Sequence, residues 1–322
     1  MLALMAGCVP AMLALVLEPG LLQAGDLPIA AAALGAALLL ILVLPQHLPA
    51  LSSRPALLLA LLLVAAPTIL AAAYLPAPIT NDERSYLYQA ELFTEGRMQE
   101  PLPPMHEAWT RRQVFEDEDR GVRYSKYSPG TALALAPGVA LGWAFLGPLL
   151  AGLLDVLLVA AVARRLGLAA PGVAALLFAC SPFLLLAQSS FQSELFTIPA
   201  ALAGYWLLLR LRETGATTRS TALCGALAGA CCGWIFLVRP LTGLLLALAL
   251  GFGMLRARAR VPSLLGAVLG GLPFTALFLL YNRMQTGDSF ALPYHLYALK
   301  YGPFFAPGGL RPLREFDQFA HR

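Results

Sequence analysis

Long apolar runs recur along nearly the whole chain and are separated by short polar breaks. They cover 2–17, 27–44, 56–75, 146–163, 170–187, 195–209, 222–238, 241–255 and 262–281. Each is close to the length a helix needs to cross a bilayer. A backbone in lipid must satisfy its own hydrogen bonds, which leaves helix bundles and closed barrels. Runs this long, with no strict alternation, predict helices. The chain is 59% hydrophobic and 12% charged, with a mean hydropathy of +0.72. Soluble domains carry about 25% charged residues. The expected fold is therefore all-α: one integral membrane domain over 1–322, with about nine transmembrane helices.

The basic residues set the expected topology. With 131–145 read as an interfacial or re-entrant helix and 146–163 as a crossing, Arg54, Arg164, Arg165, Arg210, Arg212, Arg219, Arg256, Arg258 and Arg260 all fall on one side. By the positive-inside rule that side is the cytoplasm, with the N-terminus also inside. Arg239 is the exception among the clusters between spans. No basic region precedes the first run and a second run follows closely, so 2–17 is expected to be an uncleaved span rather than a signal peptide. Residues 1–55 then form extra N-terminal spans, 56–281 the core, and 282–322 an outer C-terminal segment.

Scattered basic residues make nucleic acid an unsuitable partner. Cys8, Cys180, Cys224, Cys231 and Cys232 all lie in apolar runs and read as small buried residues rather than a disulfide framework. His106 has no second ligand at a metal-binding spacing and reads as a surface residue.

The loop 80–127 is the one long hydrophilic segment before the C-terminal region, with ten of the eighteen acids. Loops of this length are usually functional. Asn81 is a candidate helix N-cap, Asp82 and Glu83 fall in the first turn, Tyr86, Leu87, Ala90 and Phe93 follow at helical spacing, and Gly96 is a natural stop. Pro101, Pro103 and Pro104 predict an irregular middle, and 116–119 a solvated charged turn.

Together, these residues resemble the GT-C superfamily of membrane glycosyltransferases, nearest to its protein O-mannosyltransferase and lipid A aminoarabinose transferase branches. Asp82-Glu83, Tyr86, Ala90 and Gly96 are similar to that family's first outer loop. Tyr124, Lys126, Tyr127, Pro129 and Gly130 resemble the segment that ends it, although Ser128 stands where a proline is usual. Gly225 and Gly229, followed by Arg239-Pro240, resemble a later span ending in a basic residue. Glu194 occupies a second acidic loop where aspartate is common. Many relatives also continue beyond the equivalent of 282–287, which raises the expectation that 282–322 is truncated.

The resemblance implies transfer of a sugar from a polyprenyl-phosphate carrier to a lipid, glycan or protein acceptor at the outer face of a bacterial inner membrane. An acceptor hydroxyl must lose a proton to a carboxylate, and the leaving phosphate needs cationic partners. Asp82 is the expected base or metal ligand, with Glu83 beside it. The bland alternative for both is a favourable charge at a helix start. Lys126 and Arg239 are the expected phosphate ligands, with Arg283 a weaker third. Glu194 is expected to support the site or to share a divalent cation with Asp82; otherwise it is an ordinary interfacial acid. Tyr294, His295 and Tyr297 are candidates to line an acceptor path. Asp155 lies inside a span, away from this face, and is left out of the site. Two further readings compete: a transporter or lipid-linked-sugar flippase, and a non-catalytic assembly protein. The sequence does not fix an oligomeric state.

Overall fold

A computed structural model describes residues 53–75, 77–104, 113–212, 217–256 and 260–302. The expected spans at 2–17 and 27–44, and His106, lie outside the described residues.

The described chain is mostly helical. Helix α1 (Ser53–Tyr74) leads into α2 (Asn81–Thr94). Three short strands follow: β1 (Glu100–Pro101), β2 (Val114–Asp117) and β3 (Val122–Ser125). Then come α3 (Gly130–Ala140), α4 (Leu146–Arg165), α5 (Pro171–Ala179), α6 (Pro182–Gln188), a 3₁₀ turn (Ser193–Phe196), α7 (Ile198–Leu211), α8 (Thr218–Val238), α9 (Pro240–Leu255), α10 (Arg260–Thr286) and α11 (Pro293–Tyr301).

Five helical segments are long and apolar enough to cross a membrane: Ser53–Tyr74, Leu146–Arg165, Ser193–Leu211, Thr218–Val238 and Arg260–Thr286. They are compatible with an integral membrane protein. The run expected to cross at 170–187 is instead two helices, α5 and α6, bent by 67°. Pro182 follows the break and cannot donate a hydrogen bond to the preceding turn. The run at 241–255 forms a helix of 16 residues, shorter than these segments. Counting the bent pair as one, the described residues hold six candidate spans.

The two ends of the described helices differ in their side chains. The start of α1 meets the start of α5, where Ser53 Oγ accepts from Gly172 N at 2.9 Å. At that same end, the Arg165 and Arg210 guanidiniums lie 4.6 Å and 5.8 Å from the Trp206 ring centre. We call this the basic end. The far ends of α8 and α10, the start of α2 and the 3₁₀ turn gather at the opposite end.

Helices α8 and α10 run parallel in very close contact. A Cβ at Gly225 or Gly229 would collide with the backbone of Ser263 or Ala267, and one at Gly266 or Gly270 with that of Ala222 or Ala226. Glycine at four-residue spacing is what lets helices approach this closely in an apolar medium, where burial alone gives no driving force. Elsewhere α1 presents Ala56, Ala60, Val64, Thr68 and Ala71 to its neighbours, a stripe repeating about every fourth residue.

The strands are an addition to the all-α expectation. β3 pairs antiparallel with both others, in the order β1-β3-β2. Glu100 faces Arg123 across the sheet, and their side chains pair at 2.6 Å. Tyr88 and Leu92 of α2 pack on Val114 of β2, fixing the sheet to the helix. The long α10 reaches up to hold it as well: Gln285 Nε2 donates to Met98 O at 2.7 Å, and Arg120 donates to Gln285 O.

Candidate functional site

Helix α2 begins with a reciprocal cap. Thr80 Oγ1 accepts from Glu83 N at 3.2 Å and donates to Glu83 Oε1 at 2.9 Å. The N-cap is therefore Thr80, not Asn81 as expected. Both residue types cap well, and the glutamate three positions on decides between them.

This cap separates the two acids. The Glu83 carboxylate is turned into the protein and is 2% exposed. It accepts from Phe191 N at 3.4 Å and Gln192 Nε2 at 3.3 Å, so it ties α2 to the loop 189–193. Asp82 stays half-buried and accepts a hydrogen bond from the Tyr127 hydroxyl. Burial first, and this bond second, raise the Tyr127 pKa well above the ordinary tyrosine value, so its proton stays on oxygen.

From Asp82 the polar contacts continue across three elements. The Tyr127 and Tyr86 rings meet with centroids 4.5 Å apart. The Tyr86 hydroxyl bonds to Ser193, and burial is the main cause that pushes its pKa up to about 12. Ser193 Oγ in turn accepts from Arg239 Nε at 2.8 Å, and Arg239 pairs with Glu194 at 2.5 Å. Arg239 thus has a local anionic partner, which accounts for its departure from the charge pattern.

Lys126 reaches the cluster from the other side. Its ammonium lies 4.9 Å from the Tyr127 ring centre, 4.9 Å from that of Tyr294 and 4.6 Å from that of Tyr297. Lys126 is 8% exposed. Burial lowers its pKa, and the nearby Asp82 charge opposes that shift. Aromatic faces stabilise a cation without neutralising it, so the ammonium stays available to an anion. The backbone fixes its position. Gln113 sits at φ 65, uncommon for a non-glycine residue, and its carbonyl accepts from Lys126 N at 3.3 Å and Ser85 Oγ at 2.8 Å. At Gly130 a Cβ would meet the Leu237–Val238 backbone at 2.6 Å, so only glycine lets α3 start against the end of α8, beside Arg239.

The structure therefore brings Asp82, Lys126, Glu194 and Arg239 to one end of the bundle, joined through Tyr86, Tyr127 and Ser193. It sets Glu83 apart in a bracing position. Arg283 is exposed on α10 and enters none of these contacts. Tyr294 and Tyr297 face Lys126, whereas His295 is exposed. Sequence reasoning missed Tyr127 and Ser193. The signal for Tyr127 was its place beside Lys126 in the motif; nothing in the sequence marks Ser193.

Among the described residues no three His, Cys, Asp or Glu side chains come together as metal ligands. The Glu83 oxygens bond to Thr80, Phe191 and Gln192, and Glu194 is held by Arg239. Both Glu83 oxygens and one Glu194 oxygen are thus already held by protein groups.

Asp155 lies midway along α4, fully buried, with neither carboxylate oxygen hydrogen-bonded among the described residues. No known protein family, curated protein or solved structure matches this chain.

Proposed function

We propose that the protein is an inverting membrane glycosyltransferase that takes a sugar from a polyprenyl-phosphate carrier. The reading places the Asp82 end at the outer face of a bacterial inner membrane, because the arginine-rich end suits the cytoplasm. The observation that carries it is one carboxylate, Asp82, with the Lys126 ammonium near it and the Arg239 guanidinium on the other side of Tyr86.

In this reading Asp82 takes the proton of an acceptor hydroxyl as its oxygen attacks the anomeric carbon. The new C–O bond forms as the bond from that carbon to the phosphate oxygen breaks, and the electron pair leaves with the phosphate. Lys126 and Arg239 stabilise that charge. Tyr127 holds Asp82 in place, and Glu194 and Ser193 orient Arg239. No step requires a metal.

Sugar transfer by the purified protein, with and without Asp82→Asn, tests the proposal. Loss of a general base typically costs about 10²–10⁴-fold in rate. The melting temperature is expected to change little, since asparagine keeps an oxygen that can accept from the Tyr127 hydroxyl, and a charge at a helix start contributes about 0.3–1 kcal/mol. Full transfer by Asp82→Asn removes the residue from catalysis.

A transporter is the second reading, favoured by Asp155 and the bent α5–α6 pair, since broken helices and mid-span acids occur at transport sites. Carrier sugar moved but never transferred in reconstituted vesicles would select it.

A further inference from the structure

Three enclosed polar side chains, from three helices, are gathered around one turn of α4. Asp155 belongs to α4 itself, Gln188 closes α6 and Thr68 lies on α1, and all three are fully buried. Thr68 Oγ1 lies 3.0 Å from Gln188 O and 3.0 Å from Gln188 Oε1, so it holds one side of the amide. The other side, Nε2, points at Gly152, where a Cβ would collide with it. Among the described residues Nε2 has no acceptor and neither Asp155 oxygen has a donor. Asp155 follows Gly152 by one helical turn, and helical side chains lean back over the preceding turn. Its carboxyl thus leans toward the place that Nε2 approaches.

No charge offsets this acid among the described residues. Arg164 and Arg165 of α4, Arg54 of α1 and Arg210 of α7 all stand at the basic end, and Glu194 of the 3₁₀ turn pairs with Arg239. Tyr74 of α1 and Tyr205 of α7 are exposed, and Cys180, at the end of α5, is a buried thiol. None of these is placed to offset a charge on Asp155. An ionisable group so enclosed within a span points to a function.

We infer that Asp155 and Gln188 form a proton-binding site inside the spans. A carboxylate without a partner is far costlier in an apolar interior than the neutral acid, so the resting form carries the proton. Turning the Gln188 amide over exchanges its oxygen and nitrogen and keeps its shape. With the oxygen toward α4 it accepts from the Asp155 O–H, and Nε2 donates to Thr68 Oγ1. When the O–H bond breaks and the proton leaves to a base in water, the amide turns back. Nε2 then donates to the carboxylate, and Thr68 Oγ1 donates to Gln188 Oε1. Each arrangement forms by side-chain rotation. Two protonation states thus match two orientations of one amide. The loop 189–193, which Glu83 braces, follows Gln188 directly, so the site borders the polar end.

Infrared spectroscopy of the full-length protein in vesicles tests this through the carbonyl band of a protonated carboxyl. At neutral pH the wild type should show such a band. Isotope-labelled aspartate should shift it, Asp155→Asn should lack it, and alkali should remove it reversibly. In Gln188→Leu its pH midpoint should rise by about one unit, a tenfold gain in proton affinity, because a bond to the charged form outweighs one to the neutral form. No aspartic acid band at neutral pH overturns the inference, as does a band that survives in Asp155→Asn. A midpoint that Gln188→Leu leaves unchanged overturns the pairing of the two residues. A band removed by sodium ions at constant pH assigns the carboxyl to a metal cation instead. The labelled wild type needs no variant to fold.

Discussion

Helix α8 is held in two different ways along its length. Through its middle, Gly225 and Gly229 lie on the backbone of α10, and no side chain intervenes. Just beyond its last turn, the Arg239 guanidinium is held by side chains: Ser193 Oγ at 2.8 Å and Glu194. The first contact depends on absent atoms and the second on polar ones. A seam of glycines fixes where a helix lies but offers no chemistry. A network of hydroxyls, carboxylates and cations offers chemistry but rests on whatever fixes its helices. The seam is thus the foundation, and the polar end the part that can change without loss of the fold.

The sharpest way to break this division is at the seam. Gly229→Leu should destabilise the protein by about 3 kcal/mol or more, at or beyond the usual range for overpacking, because the obstacle is backbone and cannot rotate away. Thermal unfolding in detergent measures it; an unchanged midpoint would mean that the two helices are not packed this way. Next comes Glu83→Ala, which strands the Phe191 amide and the Gln192 side chain. A loss of about 1–3 kcal/mol in stability is expected, the cost of unsatisfied buried groups. If this variant instead kept its midpoint and lost all transfer, the adjacent acids would have exchanged roles.

The start of α2 shows what could be read in advance. The acid pair, the helix and the Gly96 stop, with φ 70, all follow from local residue chemistry. So do the bounds of α4, where apolar content and the closing arginines agree. The separation of Asp82 from Glu83 was not legible, because it depends on a loop more than a hundred residues away. Nor was the sheet: its strands are two to four residues long, and β3 is held by partners on both sides rather than by its own pattern. The kink between α5 and α6 was hidden because an apolar run reads alike whether straight or broken.

Two smaller effects refine the polar end. Lys126→Ala should weaken binding of the lipid-phosphate donor by about tenfold to a hundredfold, from about 1.5–3 kcal/mol for a hydrogen bond to a charged group. Burial lowers the Lys126 pKa, so the cation is lost as pH rises and donor binding should fall with a midpoint below the ordinary 10.5. Titration of donor binding in wild type and variant checks both; an unaltered affinity places the phosphate elsewhere. Smallest of all is Glu194→Gln. Its pair with Arg239 is substantially exposed, with side chains 32% and 42% accessible, and such pairs contribute about 0–1 kcal/mol. A larger shift in unfolding would move Glu194 from the adjustable part of the molecule to its foundation.

Gly130 carries a consequence for how such a chain can diversify. Backbone touches backbone there, so the point where the loop rejoins the bundle is set by a hard stop rather than by the route taken to it. The excursion from β1 to β3 lies upstream of that stop. A change in its length leaves the return point where it is, against the turn before Arg239, while Lys126, four residues earlier, still takes its position from the Gln113 carbonyl. The loop can then vary on either side of Gln113 while the spacing of Lys126 and Arg239 is kept.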